Sequence, residues 1–286
     1  MSPADEAGQE VSAVAGRRIH LLCVGAPKTG THSVAQLFAR NFRSEHEPDV
    51  ERLIDAAVRY LQGGGEDEIV AFLRARDAAM NLEVESSNPL GPLTPVLLKA
   101  FPEARFVITI REPLDWLRSE VNSHVMTVPD SPYQVDRGQG SGEPWPGPAR
   151  AQPWRQLRFG CDDGSPIEAS RRLLELGLFS VEGYLGYWTR HYRACMAAVA
   201  AGRALVVATH RLTAGAASFA TFAGVDPRSL DYTASHSFAA PARSAFLSEL
   251  DSPQVAEAAE RICGALWRTY QRIEITSSGS VARARP

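Results

Sequence analysis

The stretch that most constrains the fold is HLLCVGAPKTGTHSVAQLFA, residues 20–39. Its apolar start, residues 20–26, is typical of a buried parallel strand and ends in a turn rich in glycine. From Thr31 the apolar residues recur at helical spacing. A strand, a glycine-rich turn and a helix in this order predict an α/β unit. The turn then lies at the carboxyl end of the strand, where open parallel sheets bind their ligands.

The rest of the chain alternates between the same two kinds of element. Further strands are predicted at 81–86, 105–112 and 204–209, and helices at 49–62, 67–80, 181–201, about 253–273 and after Pro113. No hairpin turn joins consecutive strands. We therefore predict an α/β fold with a mainly parallel central sheet and helices on both faces.

Three segments differ in character from this core. Residues 129–166 contain seven prolines and six glycines without periodicity, which predicts an irregular loop or lid. Residues 1–17 and 276–286 are predicted to be disordered. The region between them, 18–275, is predicted to fold as a single domain, because 286 residues with 44% hydrophobic content can bury a sizeable core.

Charge and cysteine usage narrow the function classes. A net charge of -3 argues against a general nucleic-acid binder, which needs a dominating positive field. The four cysteines lie far apart without a CxxC pair, which suits neither a zinc site nor a disulfide framework. No apolar run is long enough for a signal peptide core or a membrane span. We expect a cytoplasmic protein with a small-molecule partner, whose oligomeric state stays open, a homodimer being one option.

The glycine turn departs from the phosphate-loop pattern GxxxxGK[ST] in an informative way. Gly25 and Gly30 fit, but Thr31 and His32 stand where nucleotide kinases carry lysine and the hydroxyl that ligates magnesium. The lysine is instead Lys28, one of only two lysines among 30 basic residues. Imidazole is a poor ligand for a hard cation. The turn is therefore predicted to hold a phosphate at a helix N-terminus without magnesium.

The segment PKTGT, Pro27 to Thr31, resembles the 5′-phosphosulfate loop of sulfotransferases that use 3′-phosphoadenosine 5′-phosphosulfate (PAPS). The resemblance is to a bacterial small-molecule or carbohydrate-type branch with a P-loop-like fold. It implies transfer of a sulfuryl group from PAPS to a hydroxyl of a small molecule, such as a natural product, or of a glycoconjugate, with no metal required. The donor contacts that it implies come from a continuous run: Lys28, Thr29, Gly30, Thr31, His32 and Ser33.

A second motif, REPLDWLRS at residues 111–119, extends the resemblance. The family carries an arginine at a strand end and a serine eight residues later, and together they grip the 3′-phosphate; here these are Arg111 and Ser119. Guanidinium can satisfy two phosphate oxygens, and a hydroxyl adds a neutral donor. Arg243, in APARSAF, falls where the family's C-terminal loop returns to that phosphate. The THRLTA segment after the 204–209 strand replaces the family's usual acidic EDL turn, which leaves the substrate-side geometry open.

Candidate catalytic residues follow from the chemistry that sulfuryl transfer needs. Lys28 would neutralise charge on the leaving phosphate, and Glu85, near the end of the 81–86 strand, would act as the base. Glu83, on the same face of that strand, is the reserve candidate. One histidine and four aromatic residues are expected on the acceptor side: His124, Tyr133, Trp145, Trp154 and Phe159. His32 and His124 are also alternatives to Glu85 as the base.

Two other functions remain open at this point. One is an ATP-dependent small-molecule kinase with a degenerate phosphate loop. The other is a nucleotide-binding module without catalysis. Chelation of magnesium separates the first from a sulfotransferase, because a kinase requires the metal. Replacement of Glu85 separates the second, because a binding module has no turnover to lose.

Overall fold

The computed structural model describes residues 16–128, 153–160, 166–233 and 243–279. Its centre is a sheet of five strands in the order β2-β3-β1-β4-β5, and every pairing in it is parallel. The strands are β1 (Leu21–Cys23), β2 (Ser44–His46), β3 (Val84–Ser86), β4 (Arg105–Ile110) and β5 (Ala204–Ala208). This confirms the predicted α/β fold with a parallel sheet.

Helices connect the strands and cover the sheet. In chain order they are α1 (Thr31–Ala39), α2 (Val50–Leu61), α3 (Glu66–Met80), α4 (Thr94–Ala100), α5 (Pro113–Val125), α6 (Pro153–Phe159), α7 (Glu168–Glu175), α8 (Val181–Ala200), α9 (Ala216–Ala223) and α10 (Pro253–Gly279). Helices α2, α3, α5 and α8 begin within one residue of their predicted starts.

Alternation along the strands divides the core between the two faces of the sheet. Leu22 in β1 belongs to a large cluster with residues of α2, α3, α4, α5, α8 and α10. Its neighbour Leu21 points to the other face and belongs to a smaller cluster with residues of α1 and α9. Burial of each large apolar side chain stabilises the fold by about 1.5–3 kcal/mol. Helices therefore pack on both faces, as predicted.

The strand register sets where the functional residues meet. Cys23, the last residue of β1, pairs with Ser86 of β3 and with Val107 of β4, and Ile110 of β4 pairs with Ala208 of β5. Because all strands are parallel, the segments that follow them emerge at one edge of the sheet. The glycine turn after β1 and the segment after β4 are neighbours at this edge.

The structure differs from the sequence-based expectations at several elements. β2 was not predicted, because it is a polar, three-residue edge strand without apolar alternation. Helices α4 and α9, of seven and eight residues, were also missed. α10 runs to Gly279, four residues into the segment predicted to be disordered. Within the predicted irregular segment, residues 129–152 and 161–165 lie outside the described part of the chain.

Helix α6 corrects the prediction that residues 129–166 lack regular structure. Its inward-facing residues are Arg155, Arg158 and Phe159, which follow the spacing of a helical face. Two of these three are arginines, so the hydrophobic pattern that normally marks an amphipathic helix is absent. The structure therefore contains a helix that the hydropathy of the sequence does not predict.

Candidate active site

The glycine turn has a backbone conformation that its sequence makes possible. Gly30, the residue before α1, has φ of 92°, in the left-handed region that glycine adopts at little cost. A Cβ at Gly25 would lie 1.9 Å from Oγ1 of Thr109, so only glycine allows β1 and β4 to approach this closely there. α1 has no side-chain cap and no acidic residue in its first turn. Its N-terminal amides and dipole therefore suit an anion.

Several hydrogen bonds fasten this turn to its neighbours. The Thr29 hydroxyl donates to the carbonyl oxygen of Ala26 at 2.6 Å and lies 2.8 Å from the Thr109 hydroxyl. Nε1 of Trp116 donates to the Pro27 carbonyl oxygen at 2.8 Å. Because Thr29 is fully buried and its hydroxyl is used in this way, the Thr29 side chain fixes the shape of the turn.

The first turn of α1 is also held in place. Oγ1 of Thr31 lies 3.2 Å from Nε2 of His46, and the Thr31 carbonyl accepts a hydrogen bond from the Ser86 hydroxyl at 2.7 Å. The ring of His32 packs edge-on against that of His46, and burial lowers the pKa of His46. His32 and Ser33 are half-buried. The predicted donor contacts on α1 are thus side by side around the helix N-terminus.

Lys28 and Arg111 are two half-buried cations at this edge of the sheet. Lys28 is half-buried at a positive φ of 63°, and Arg111 is half-buried directly after β4. Within the part of the chain that the structure describes, neither side chain forms a hydrogen bond or an ion pair. The backbone of Arg111 is fixed, since its carbonyl oxygen accepts a hydrogen bond from Nε1 of Trp188 at 3.2 Å. Two cations at one sheet edge are thus available to anionic ligands.

The other residues predicted to bind the 3′-phosphate lie on and beside α5. Ser119 is half-buried about two turns into that helix. One turn further on, Oδ1 of Asn122 accepts a hydrogen bond from the backbone amide of Ser244 at 2.8 Å. This contact holds the exposed Arg243 next to the Ser119 side of α5. The backbone next to Arg243 is thus attached to the helix that carries Ser119 and that begins two residues after Arg111.

Glu85 is the middle residue of β3 and is 5% exposed. Its Oε2 accepts a hydrogen bond from Nη1 of Arg76 at 2.8 Å, and its Oε1 accepts one from the Ser87 hydroxyl at 3.0 Å. Nε of Arg76 also lies 3.6 Å from Oδ2 of Asp49. The carboxylate is thus held in a buried ion pair, and its role as a base stays a prediction.

Glu83 lies at the opposite, amino-terminal end of β3. Nε and Nη2 of Arg18 bind its two carboxylate oxygens at 2.7 and 2.8 Å, and the Arg43 amide donates to Oε2 at 3.0 Å. These hydrogen bonds, above all those from Arg18, lower the pKa of Glu83 to about 2. The structure does not bring Glu83 together with the glycine turn.

A buried polar cluster beside Lys28 was not predicted as a unit. Oε1 of Glu120 lies 3.5 Å from Nε2 of His124 and 3.5 Å from Nη2 of Arg158. The Tyr184 hydroxyl lies 2.7 Å from Nδ1 of His124. Burial raises the pKa of Glu120, while burial and the charges of Arg155, Arg158 and Lys28 lower that of His124. We name Glu120, His124, Arg155 and Arg158 the α5–α6 cluster.

The aromatic residues predicted on the acceptor side divide into three groups. Trp154 is half-buried on α6, with its ring centroid 5.5 Å from the Arg158 guanidinium carbon. Phe159 is fully buried and packs on Tyr184 with ring centroids 4.7 Å apart, so it belongs to the core and does not face an acceptor. Tyr133 and Trp145 lie outside the described residues.

One signal in the sequence marks the α5–α6 cluster. Glu120 and His124 stand four residues apart on a helix that was correctly predicted, so they share one face. The arginines Arg155 and Arg158 lie on α6, where the buried residues do not form an apolar face. Their position therefore could not be inferred from hydropathy.

Three of the four cysteines are confirmed as buried and free: Cys23, Cys195 and Cys263. Cys161 lies outside the described residues. No helix in the described ranges is both long and apolar enough to cross a membrane. The same ranges contain no group of three or more His, Cys, Asp or Glu residues that could hold a metal ion.

Comparison with known proteins identifies one family. A family model described as a sulfotransferase domain matches residues 20–227, which include both the glycine turn and the Arg111 motif. The match extends over well more than half of the chain. A search among curated proteins found no match.

Proposed function

The chain belongs to the sulfotransferase domain family, and on that premise we propose that it transfers the sulfuryl group of PAPS to a hydroxyl of a small-molecule or glycoconjugate acceptor. The observation that carries this proposal is the adjacency of two anion-binding segments. The turn with Lys28 follows β1, Arg111 follows β4, and these strands are paired neighbours. One nucleotide with a phosphate at each end of its ribose suits two such segments.

The residues present fit the donor. The amides at the start of α1 lack a side-chain cap, so the 5′-phosphosulfate can accept their hydrogen bonds. Arg111 and Ser119 offer a guanidinium fork and a hydroxyl to the 3′-phosphate, with Arg243 closing from the neighbouring segment. Thr29, Gly30, Thr31, His32 and Ser33 contribute mainly through their backbone.

In the transfer step, the acceptor oxygen forms a bond to sulfur while the bond from sulfur to the 5′-phosphate oxygen breaks. Lys28 stabilises the negative charge that grows on that oxygen. Its ammonium forms no ion pair within the described ranges, and Glu120 is the carboxylate with which it interacts at longer range. The products are the sulfated acceptor and adenosine 3′,5′-bisphosphate.

Glu85 is the base in this proposal and takes the proton of the acceptor hydroxyl. Arg76 holds one carboxylate oxygen, and the Ser87 hydroxyl occupies the second oxygen until an acceptor hydroxyl replaces it. The acceptor is expected between Lys28 and the α5–α6 cluster, with Trp154 at its border. We expect the enzyme to act in the cytoplasm, with no nucleic-acid partner and no metal.

The experiment that tests this function combines the protein with PAPS and a panel of alcohols, phenols and saccharides. Mass spectrometry measures the sulfated product and adenosine 3′,5′-bisphosphate together. The expected result is equal amounts of both, unchanged by EDTA. Parallel reactions with ATP and magnesium test the kinase alternative. Phosphorylated product that forms from ATP and disappears with EDTA would contradict the proposal.

A further inference from the structure

Two hydroxyl groups that the proposed chemistry does not use lie between the glycine turn and the end of β4. One belongs to Thr209, the first residue of the THRLTA segment, which directly follows β5. The other belongs to Tyr192, a buried residue of α8. Each hydroxyl contacts both of the segments that are proposed to bind phosphate. They therefore bear on how these two segments are held relative to each other.

The Thr209 hydroxyl is shared between the two segments. Its Oγ1 lies 3.0 Å from the carbonyl oxygen of Thr29 and 3.1 Å from that of Ile110, so two acceptors share its single proton. These carbonyls belong to the peptide groups that lead into Gly30 and into Arg111. Because a peptide group is planar, a contact that fixes the carbonyl also fixes the amide of the next residue. One hydroxyl thus orients the backbone at both phosphate-binding segments.

The Tyr192 hydroxyl joins the same two segments from α8. It donates to the carbonyl oxygen of Thr109 at 2.8 Å and accepts from the Ala26 amide at 3.4 Å, near the limit of a hydrogen bond. The Tyr192 side chain is fully buried, and the backbone carbonyl oxygen of Tyr192 accepts a hydrogen bond from the Tyr270 hydroxyl at 2.7 Å. The phenol is therefore held in place, and it ties the end of β4 and the start of the glycine turn to one helix.

The distance between the two segments decides how well one nucleotide reaches both. In the proposed donor both phosphates are attached to the same ribose, so the second phosphate contact is intramolecular once the first has formed. That second contact contributes most when the free protein already holds the segments at the right spacing, because less ordering is then required on binding. The two shared hydroxyls provide such preorganisation.

We propose that Thr209 and Tyr192 are positioning residues that set the spacing of the two phosphate-binding segments, so that the enzyme favours nucleotides phosphorylated at both the 5′ and the 3′ position. This inference rests on the proposed function and assigns a role to the THRLTA segment. Neither residue touches the nucleotide in this proposal. The hydroxyl of Thr209 suits the task because it donates to carbonyls, whereas an ionised carboxylate at this position has no proton to donate.

The test compares three ligands that share adenosine: adenosine 3′,5′-bisphosphate, adenosine 5′-monophosphate and adenosine 3′-monophosphate. Calorimetry on the full chain measures each Kd in the wild type and in Thr209→Val, which keeps the branched shape and removes the hydroxyl. We expect the variant to bind the bisphosphate about threefold to tenfold more weakly, the range for one hydrogen bond, and each monophosphate within about twofold of the wild type. Thr209→Ser retains the hydroxyl and should regain the wild-type affinity for the bisphosphate.

A matched control makes the same chemical change elsewhere in the fold. The Thr189 hydroxyl donates to the carbonyl oxygen of Ile262 at 3.0 Å and links α8 to α10. Thr189→Val should therefore leave the affinities for all three ligands unchanged. Chemical denaturation of each variant measures its stability separately from ligand binding. If Thr209→Val does not fold, Tyr192→Phe carries the same test, with the same selective loss of bisphosphate affinity expected.

Wild-type affinity of Thr209→Val for the bisphosphate, an equal loss for all three ligands, or no recovery in Thr209→Ser would overturn the positioning role. So would a wild type that binds the bisphosphate no more tightly than the monophosphates, because the two segments would then not act together. The first three results leave the proposed function standing as long as the wild type binds the bisphosphate. Failure of the wild type to bind it would instead contradict the proposed function, and the positioning role with it.

Discussion

The hydroxyl groups of Thr29 and Thr109 lie 2.8 Å apart and join the glycine turn to the strand that ends before Arg111. Since the Thr29 hydroxyl donates to Ala26, the Thr109 hydroxyl is the donor between them. The contact requires glycine at position 25, where a Cβ would meet the Thr109 oxygen. The two proposed phosphate-binding segments are therefore positioned relative to each other before any nucleotide binds.

Lys28→Ala should lower kcat by about 10² or more, the range for loss of one group that stabilises charge in the transition state. Steady-state kinetics with PAPS measures this. The fold should persist, because the Lys28 side chain has no hydrogen-bond partner in the described ranges. Lys99→Ala is the control, since that lysine forms an exposed pair with Glu66. Unchanged turnover in Lys28→Ala would remove this residue from the mechanism.

Arg111→Ala should weaken binding of adenosine 3′,5′-bisphosphate by about tenfold to a hundredfold, because a charged hydrogen-bond donor to the 3′-phosphate is lost. Calorimetry gives the affinity directly. The matched variant is Arg118→Ala on α5, where the guanidinium lies 2.6 Å from Asp251 in an exposed pair. Equal affinities in the wild type and Arg111→Ala would show that this arginine does not bind the nucleotide.

Glu85→Gln should lower both turnover and stability. Loss of the charge leaves Asp49, 3.6 Å from Nε, as the remaining carboxylate beside the buried Arg76, so the cost should approach the roughly 3–5 kcal/mol for breaking a buried pair. The double variant Arg76→Gln/Glu85→Gln removes both charges and should regain most of the stability. Without its base it should remain at least about 10² slower than the wild type. Chemical denaturation and kinetics are measured on the same preparations. Wild-type turnover in the double variant would assign Glu85 a structural role only.

Acid sensitivity should depend on Glu83. The Arg18 hydrogen bonds lower the pKa of the folded carboxyl to about 2, from 4.5 in the unfolded chain. This stabilisation is present above pH 4.5 and is lost as the pH falls to about 2. Glu83→Gln should therefore cost about 2 kcal/mol at pH 7 and little at pH 2. Denaturation at a series of pH values measures the difference, and an equal loss at both pH values would contradict it.

The parts of the fold with strong local patterns could be predicted from the sequence. β1, the glycine turn and α1 follow from an apolar run, from glycines and from helical spacing, and the structure confirms both elements. The family match confirms the resemblance that the PKTGT segment indicates. Arg111 and Ser119 were singled out by their resemblance to the family's second motif, and the predicted strand of β-branched residues before Arg111 fits that motif. These features depend on neighbours in the chain, so the sequence carries them directly.

The remainder depends on contacts between distant residues. β2 is recognised only by its pairing with β3, since its own residues are polar. The ion pair of Arg76 with Glu85 links α3 to β3, and the sequence does not show that both oxygens of Glu85 have partners. Two of the three buried residues of α6 are arginines, so its sequence shows no apolar face that would predict a packed helix. The roles of Lys28, Glu85 and the phosphate-binding residues, and the division of the chain into domain and flanks, stay predictions.

The most direct measurement is a crystal structure of the protein with adenosine 3′,5′-bisphosphate. The account predicts the 5′-phosphate at the N-terminus of α1, bonded to Lys28 and the amides that follow it. It predicts the 3′-phosphate between Arg111 and Ser119 in the same nucleotide. Density for the nucleotide at any other place on the protein, or a well-ordered crystal that binds none at saturating concentration, would contradict the account.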